Sequence, residues 1–469
     1  MDRRVRLHAE SRLAFLTDER PVAGSHDLKA DWLSCDEALA RILAHARPMS
    51  ATSVAASRAL GRTVAETIRA RATLPAWRNS AMDGFAVRSG DLEGLGDGLG
   101  DGTLRLPVAG ESYPGAIPLA GVPAGAAVRV MTGGSIPDGF DSVIRVEHTD
   151  GGAESGFVVI HRTDDVGKHI RAAGKDMLVG AETVPVGTVV HSGSLPVLLA
   201  SGCEPVPVYR RPRVGVLSSG DELVGMDRFD RVAAGRGVPD TNRAMMAAGV
   251  VEAGAVPVDL GVVADSPGAL LEKLESVGEV DVLVTTGGAS MGDKDLLKRV
   301  LLRLGFQLDF WRARVRPGSP LSFGHLPREG TALPVFGLPG NPASAFVTFH
   351  VFVAPYLRAR LGSLRPRGTT VEARTDTALS SPPGLTHFYR VRLYGDVGEE
   401  PSGDGTVPEA PGDAGTFTGD AGLRCSLTGP QGSGLVRSLR DADGLAVIPE
   451  GMARVEAGDP VSVMLLPGR

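Results

Sequence analysis

From Arg213 to Leu361, β-branched runs alternate with helical stretches, and nothing else in the chain limits the fold as tightly. Val214-Gly-Val-Leu, Val256 to Val263, Leu283 to Thr286 and Val335-Phe-Gly-Leu read as strands. Between and after them 240-DTNRAMMAAGVVEAGA-255, the stretch from Pro267 and the residues after 339-PGNPASAF-346 read as helices. Strands that alternate with helices of about 10–15 residues pair in parallel and are covered on both faces. The expectation is a doubly wound, mostly parallel α/β domain over 211–362.

Within it, 283-LVTTGGASMGDKDLLKRVL-301 is the segment richest in chemistry. A buried strand breaks at Gly287-Gly288, crosses a Ser/Gly/Asp turn and enters a helix whose Leu296, Leu297, Val300 and Leu301 recur at helical spacing. Glycines let backbone N–H groups approach closely, and a helix start presents unpaired N–H groups, so this geometry holds phosphate-like anions. Asp293 and Asp295 put negative charge where an anion alone would not want it. They imply a bound cation beside the anion, or they only cap the helix.

Bulk composition excludes several classes. A net charge of −6 argues against nucleic acid and anionic membrane surfaces as partners. The three cysteines, Cys35, Cys203 and Cys425, include no Cys-x-x-Cys pair, so neither zinc nor a disulfide framework is supported. The N-terminus lacks an apolar signal core, and the run from Phe346 to Leu357 is too short to span a bilayer. A cytoplasmic setting is expected. Sixty-two glycines and 33 prolines predict many turns and short strands.

Outside the α/β domain, residues 1–30 show no period and form an N-terminal extension. Ser34 with Glu37 makes a capping box for a helix through Leu39, Ile42 and Leu43, and a second helical stretch is expected near Ala59 to Ala70. Residues 104 to 162 read as all-β, and 178–210 as short strands with a helix over Leu195 to Gly202. The last hundred residues are β-rich, interrupted by an acidic Gly/Pro-rich stretch over 396–422 that lacks Lys and Arg and is expected to be a disordered loop.

In open α/β sheets, ligands bind outside the carboxyl ends of the strands. Three such ends carry similar loops: 218-SSGDEL-223, 286-TGGASMGDKD-295 and 337-GLPGNPAS-344. Ser218, Ser219 and Ser290, with the N–H groups of Gly220, Gly287, Gly288 and Gly292, offer donors to an anion. Glu222, Asp240 and Asp295 are hard oxygen ligands suited to Mg²⁺. In 310-FWRARVRPGSP-320 the alternation of Arg312, Arg314 and Arg316 predicts one basic strand face for an oxyanion. Further motifs lie in the N-terminal half: 79-NSAMDGFAV-87, 131-MTGGSIPDG-139 and 167-GKHIRAAGKDMLVG-180. Each alone reads first as structural. Histidines do not cluster and no Gly-x-Ser-x-Gly elbow occurs, which argues against acyl transfer.

Taken in order with 129-RVMTGG-134, 170-IRAAGKDM-177, 240-DTN-242, 316-RPGSP-320 and 429-GPQGSG-434, these segments resemble the molybdopterin molybdenumtransferase family. Its eukaryotic relative is the E domain of gephyrin, and the resemblance runs from about residue 30 to the C-terminus. It implies an elongated subunit with a segmented connector domain (31–75 and 164–210), a mixed β domain (76–163), a molybdopterin-binding α/β domain (211–362) and a C-terminal β-barrel (366–469). It implies a homodimer that joins adenylylated molybdopterin and molybdate, with Mg²⁺, into molybdenum cofactor and AMP. Contact with the molybdopterin adenylyltransferase is a partner the resemblance admits.

By matched position, Glu222, Asp240 and Asp295 carry over as active-site acids, with Asp83, Thr132 and Asp176 supplied by the partner subunit. Arg312, Arg316 and Ser319 carry over as molybdate or phosphate binders, beside the loop Pro339-Gly340-Asn341-Pro342. Three features depart from the family pattern: Lys175 stands where Glu is common, Ala172-Ala173 where arginines are, and Ser319 where Lys is frequent. They motivate the alternative of a non-catalytic molybdopterin-binding paralogue or a gephyrin-like scaffold.

Overall fold

The β-branched run Val282–Thr286 is buried along its whole length, as a strand covered on both faces must be. It lies within a seven-stranded sheet of a computed structural model that describes residues 32–92, 103–153, 156–287, 296–395 and 422–467. The strand order is Trp32–Leu33, Gln307–Ala313, Pro320–Arg328, Thr331–Leu338, Val282–Thr286, Arg213–Ser219, Val256–Val263. The last four are parallel neighbours. Pro320–Arg328 runs antiparallel to both of its neighbours. After Arg213–Ser219 the chain pairs Val256–Val263 on one side, then crosses to Val282–Thr286 on the other. That reversal of direction opens a crevice beyond Ser219 and Thr286.

Helices cover both faces. On one, Ala38, Leu39 and Ile42 of helix Cys35–Ala44, Met246 and Val250 of Asn242–Glu252 and the residues from Ala345 to Leu357 pack on Val214, Val284 and Phe336. On the other, Leu270 and Leu274 of Pro267–Glu275 and Leu297, Val300 and Leu301 of Leu296–Arg303 pack on Leu217, Leu283 and Val335. The capping box at Ser34 forms, with Ser34 Oγ accepting from Glu37 N at 3.2 Å and Glu37 Oε2 accepting from Ser34 N at 2.8 Å. Ser266 caps the next helix ahead of Pro267.

The C-terminal strands close on themselves. Thr386–Gly395, Leu423–Leu427, Thr370–Thr375, Pro460–Leu465 and Gly444–Ile448 pair in that order, and the last returns to the first, so a five-stranded barrel forms. Val315–Arg316 adds in parallel at Thr386 and His387.

Contacts divide the chain into two units. The larger holds Met1–Thr52, Gly61–Thr63 and Tyr209–Arg469, and so both the sheet and the barrel. The smaller holds Ser53–Leu60 and Val64–Val208. Its main sheet runs Ser142–Arg145, Gly84–Val87, Ala127–Val130, Leu104–Ser112, Phe157–Ile160. A second core gathers Val64, Ile68, Val184, Leu198 and Val206.

Two expectations need correction. The helix expected near Ala59 to Ala70 does not form. Gly61 takes the left-handed conformation (φ 70°), and Ile68–Arg69 is a strand paired with Glu182–Val184. Arg312, Arg314 and Arg316 do not share one face either. The strand ends at Ala313, and Val315–Arg316 belongs to the barrel sheet. Arg314, between them, is pinned by Glu450 at 2.9 Å and the Trp32 carbonyl at 2.6 Å. The expectations for 1–30, for 396–421 and for Gly288, Ser290, Gly292, Asp293 and Asp295 lie outside the described residues.

Phe323 sits at the centre of the larger core, fully buried, with ring centroids 4.8 Å from Phe336 and 6.1 Å from Tyr356. Phe323→Ala should lower unfolding free energy by about 3–5 kcal/mol, measured by urea titration. A loss under about 1 kcal/mol would mean the sheet face repacks freely.

Candidate functional site

The crevice is assembled by backbone before side chains enter. At Gly287 (φ 89°) a Cβ would lie 2.2 Å from the Ser219 carbonyl oxygen, so only glycine allows the two strand ends to come this close. A Cβ at Gly340 would stand 3.7 Å from the Gly287 α-carbon, which brings the third loop to the same place. The three predicted loops therefore meet at Ser219, Gly287 and Gly340. Asn242, at the start of its helix, donates from Nδ2 to the Gly340 carbonyl at 2.7 Å and ties the fourth motif in.

Side chains then divide into committed and open. Asp240, only 2% exposed, accepts at Oδ1 from Ser218 Oγ (3.1 Å) and Arg243 N (3.3 Å), and at Oδ2 from Arg243 Nε (2.7 Å). Arg243 also pairs with Asp259. Ser218 and Thr286 hydroxyls stand 3.0 Å apart. Glu222, by contrast, is exposed, its carboxylate folded over Gly220, where a Cβ would meet both oxygens at 2.9 Å. Asp265, missed in the sequence, accepts from Ser219 Oγ at 2.5 Å and is tied through its N–H to Asp221 Oδ1 at 3.0 Å. Its signal was available: an exposed acid two positions past a strand at the carboxyl edge.

The chemistry expected of Mg²⁺ can be tested against these donors. Asp240 is the less free for it, because both of its oxygens accept hydrogen bonds and the Arg243 guanidinium lies against one of them. Glu222 and Asp265 suit it, as exposed carboxylates on neighbouring strand ends. Among the described residues no three acidic, His or Cys side chains come together in a metal-binding group.

A cavity of about 520 Å³ opens in the same unit, lined by Arg316, Ser319, Ser344, His387, Tyr389, Gln431 and Ser433 among others. Ser433 joins it to the crevice. Its carbonyl accepts from Ala343 N at 2.9 Å, and its hydroxyl accepts from Asn341 Nδ2 at 3.3 Å. Behind Gln431 and Gly432, Arg390 is fully buried, held by Ser438 Oγ (3.2 Å) and the Gly432 carbonyl (3.4 Å), with Nη1 unpartnered among the described residues. Burial pushes its pKa down to about 10, so it stays charged at neutral pH. A buried cation without a carboxylate favours an anion nearby. The sequence signal was weak, since a second arginine, Arg392, stands two positions on in the same strand, Thr386–Gly395. Ser319 contributes less than expected, because its hydroxyl donates to the Val315 carbonyl at 2.6 Å. Arg312 is not brought to the cavity; its guanidinium lies 5.6 Å from the Trp32 ring centroid.

In the smaller unit the other three motifs also converge. Ser80 N donates to the Gly134 carbonyl at 2.9 Å, Ala81 N to that of His169 at 2.7 Å and Asp176 N to that of Leu74 at 3.1 Å. Asp83 Oδ1 accepts from Thr132 N at 2.6 Å and from Thr132 Oγ1 at 2.8 Å. The backbone bond first and the hydroxyl second hold its carboxyl below the usual range. Asp176 lines a separate hollow of about 650 Å³ with Glu182 and Thr183.

A switch-point crevice joined to a closed barrel defines a multidomain α/β ligand-binding protein. Comparison with known proteins makes the class specific. Residues 33–202 match the MoeA N-terminal region (domain I and II), 215–359 a probable molybdopterin binding domain and 414–466 the MoeA C-terminal region (domain IV). Molybdopterin molybdenumtransferase 1 of Mycobacterium tuberculosis is 34% identical over 447 residues, covering 92% of this chain and 99% of the relative. The molybdopterin molybdenumtransferase of Bacillus subtilis is 31% identical over 434 residues, covering 92% and 93%. A crystal structure of the molybdopterin biosynthesis MoeA protein of Pyrococcus horikoshii superposes with a TM-score of 0.71 at 26% identity, over 94% of this chain and all of that one. The chain belongs to the molybdopterin molybdenumtransferase family, and it is an enzyme of that family.

The cavity also sets a pH dependence. Burial first, then Arg316, pushes the His387 pKa down to about 4, against a weaker upward pull from the Ser380 carbonyl. A folded-state value below the unfolded one means stability is intact above about pH 6.5 and falls as the pH drops toward 4. In denaturant titrations across that window, His387→Gln should flatten the slope by one proton's worth. An unchanged slope would place the titration elsewhere.

Proposed function

We propose that the chain inserts molybdenum from molybdate into adenylylated molybdopterin, releasing AMP in a Mg²⁺-dependent reaction. One observation carries this reading. The loop Pro339 to Pro342 reaches the crevice at Gly340, and its Asn341 bonds Ser433, a residue in the wall of the cavity that Arg316 lines. Two anionic substrates held on either side of one loop gain proximity without a large motion. The N–H groups beside Gly220 and Gly287 would hold phosphate. Arg316 at the rim and Arg390 behind would attract molybdate by charge. Glu222 and Asp265 would hold Mg²⁺, which offsets negative charge on the departing AMP. The family reading adds a homodimer in which the partner copy supplies Asp83, Thr132 and Asp176.

A second reading is favoured by Ser319, whose hydroxyl is spent on Val315: a paralogue that binds molybdopterin without turnover. One assay separates the two. Purified protein with adenylylated molybdopterin, Mg²⁺ and molybdate should yield AMP and molybdenum-bound molybdopterin in equal amounts. Arg316→Gln should raise the KM for molybdate at least about tenfold, the size of one charge-assisted hydrogen bond. Binding without AMP would sink the transferase and leave the paralogue.

A further inference from the structure

We propose that Asp240 is a positioning residue with a built-in counter-ion, Arg243, and takes no part in holding a metal. The inference rests on the reading of the crevice given above.

A carboxylate can only accept hydrogen bonds, and both oxygens of this one already do, with three donors on its roughly four acceptor sites. Ser218 Oγ at 3.1 Å and Arg243 N at 3.3 Å share one oxygen, and Arg243 Nε at 2.7 Å takes the other. The side chain is 2% exposed, so water cannot mediate a ligand's approach. A divalent ion would have to displace the guanidinium, which Asp259 also holds from its far side. Two cations on one carboxylate repel strongly at low dielectric.

The bonding direction shows what the group does. Ser218 has one hydroxyl proton, and it goes to Asp240. The 3.0 Å contact between Ser218 and Thr286 must then be a donation from Thr286 to Ser218 Oγ. The resulting relay, Thr286 to Ser218 to Asp240, crosses the switch point from one strand end to the other and stops at the helix start. It sets the separation of the two strand ends just before their glycine turns, where a Cβ on Gly287 would already strike the Ser219 carbonyl. Loss of the carboxylate frees the Ser218 proton, so the relay can reverse and the turns lose their common reference.

The test measures metal affinity apart from turnover. Mn²⁺ is titrated into the full chain and followed by electron paramagnetic resonance, and AMP release is followed against Mg²⁺ concentration. Asp240→Asn and Arg243→Gln should bind Mn²⁺ within about twofold of wild type and keep the half-saturating Mg²⁺, while kcat falls at least about tenfold. Arg243→Lys, which keeps a cation beside Asp240, should recover part of that loss. Glu222→Gln should weaken Mn²⁺. The proposal is overturned if Asp240→Asn weakens Mn²⁺ about tenfold, or if Arg243→Gln, by releasing the carboxylate, tightens it. Should Asp240→Asn not fold, Arg243→Gln decides alone, since it leaves the carboxylate in place. If the wild type releases no AMP, the functional reading fails while the Mn²⁺ titration still judges Asp240.

Discussion

No side chain fits between Gly287 and the Ser219 carbonyl, where an added Cβ would come within 2.2 Å. That close approach fixes how the parallel strands Arg213–Ser219 and Val282–Thr286 end, and the reversal of strand order makes the same place the mouth of the crevice. Everything nearby is arranged around the gap. Gly340 reaches the Gly287 α-carbon, Asn242 reaches the Gly340 carbonyl, and the Ser218–Thr286 contact locks the last residues before both turns. The sheet thus supplies a rigid frame, and the loops gain precision from close backbone packing together with the side-chain bonds of Asn242, Ser218 and Thr286.

Charge follows the opposite logic in the barrel. Burying a guanidinium without a carboxylate is costly, and Arg390 is fully buried with one hydroxyl and one carbonyl as its named side-chain partners. The same strand carries an exposed Arg392 paired with Asp441, whereas Arg390 has no carboxylate partner among the described residues. Under the proposed function, an anion in the adjoining cavity would offset the cost of burying it. His387 fits the same account. Stacked on Tyr389 at 4.0 Å and kept neutral by burial and Arg316, it shapes the wall without adding a third cation.

Legibility in the sequence tracked how local the governing physics is. Alternating strands and helices from Arg213 to Leu361 could be read because each burial pattern is written in its own segment, and the Ser34 capping box because its two bonds span three residues. The stretch from Ala59 to Ala70 was misread because its strand exists only through pairing with Glu182–Val184, more than a hundred positions away. The arginines at 312, 314 and 316 alternate as a strand face should, yet Glu450 and the Trp32 carbonyl, both distant in sequence, pull Arg314 out of line. Among the acids, sequence marks which are present and not which are spent. Glu222 and Asp240 looked equally available as types, and only the fold shows one exposed and the other committed to Arg243.

The departure at Ser319 and the burial of Arg390 belong to one argument. Ser319 stands where the family often has Lys, and its hydroxyl cannot compensate as a donor because its proton goes to Val315. On the proposed function, the attraction for an oxyanion would come from Arg316 at the rim and from Arg390 across Gln431 and Gly432. A guanidinium holds its charge at any physiological pH and spreads it over a plane, whereas a lysine acts as a point charge that water solvates strongly. Exchanging one for reliance on the other makes the cavity less sensitive to where the oxyanion sits and more dependent on its total charge. Under the proposed function, the fit of the cavity walls, which include the rings of His387 and Tyr389, would then have to separate tetrahedral dianions of similar size.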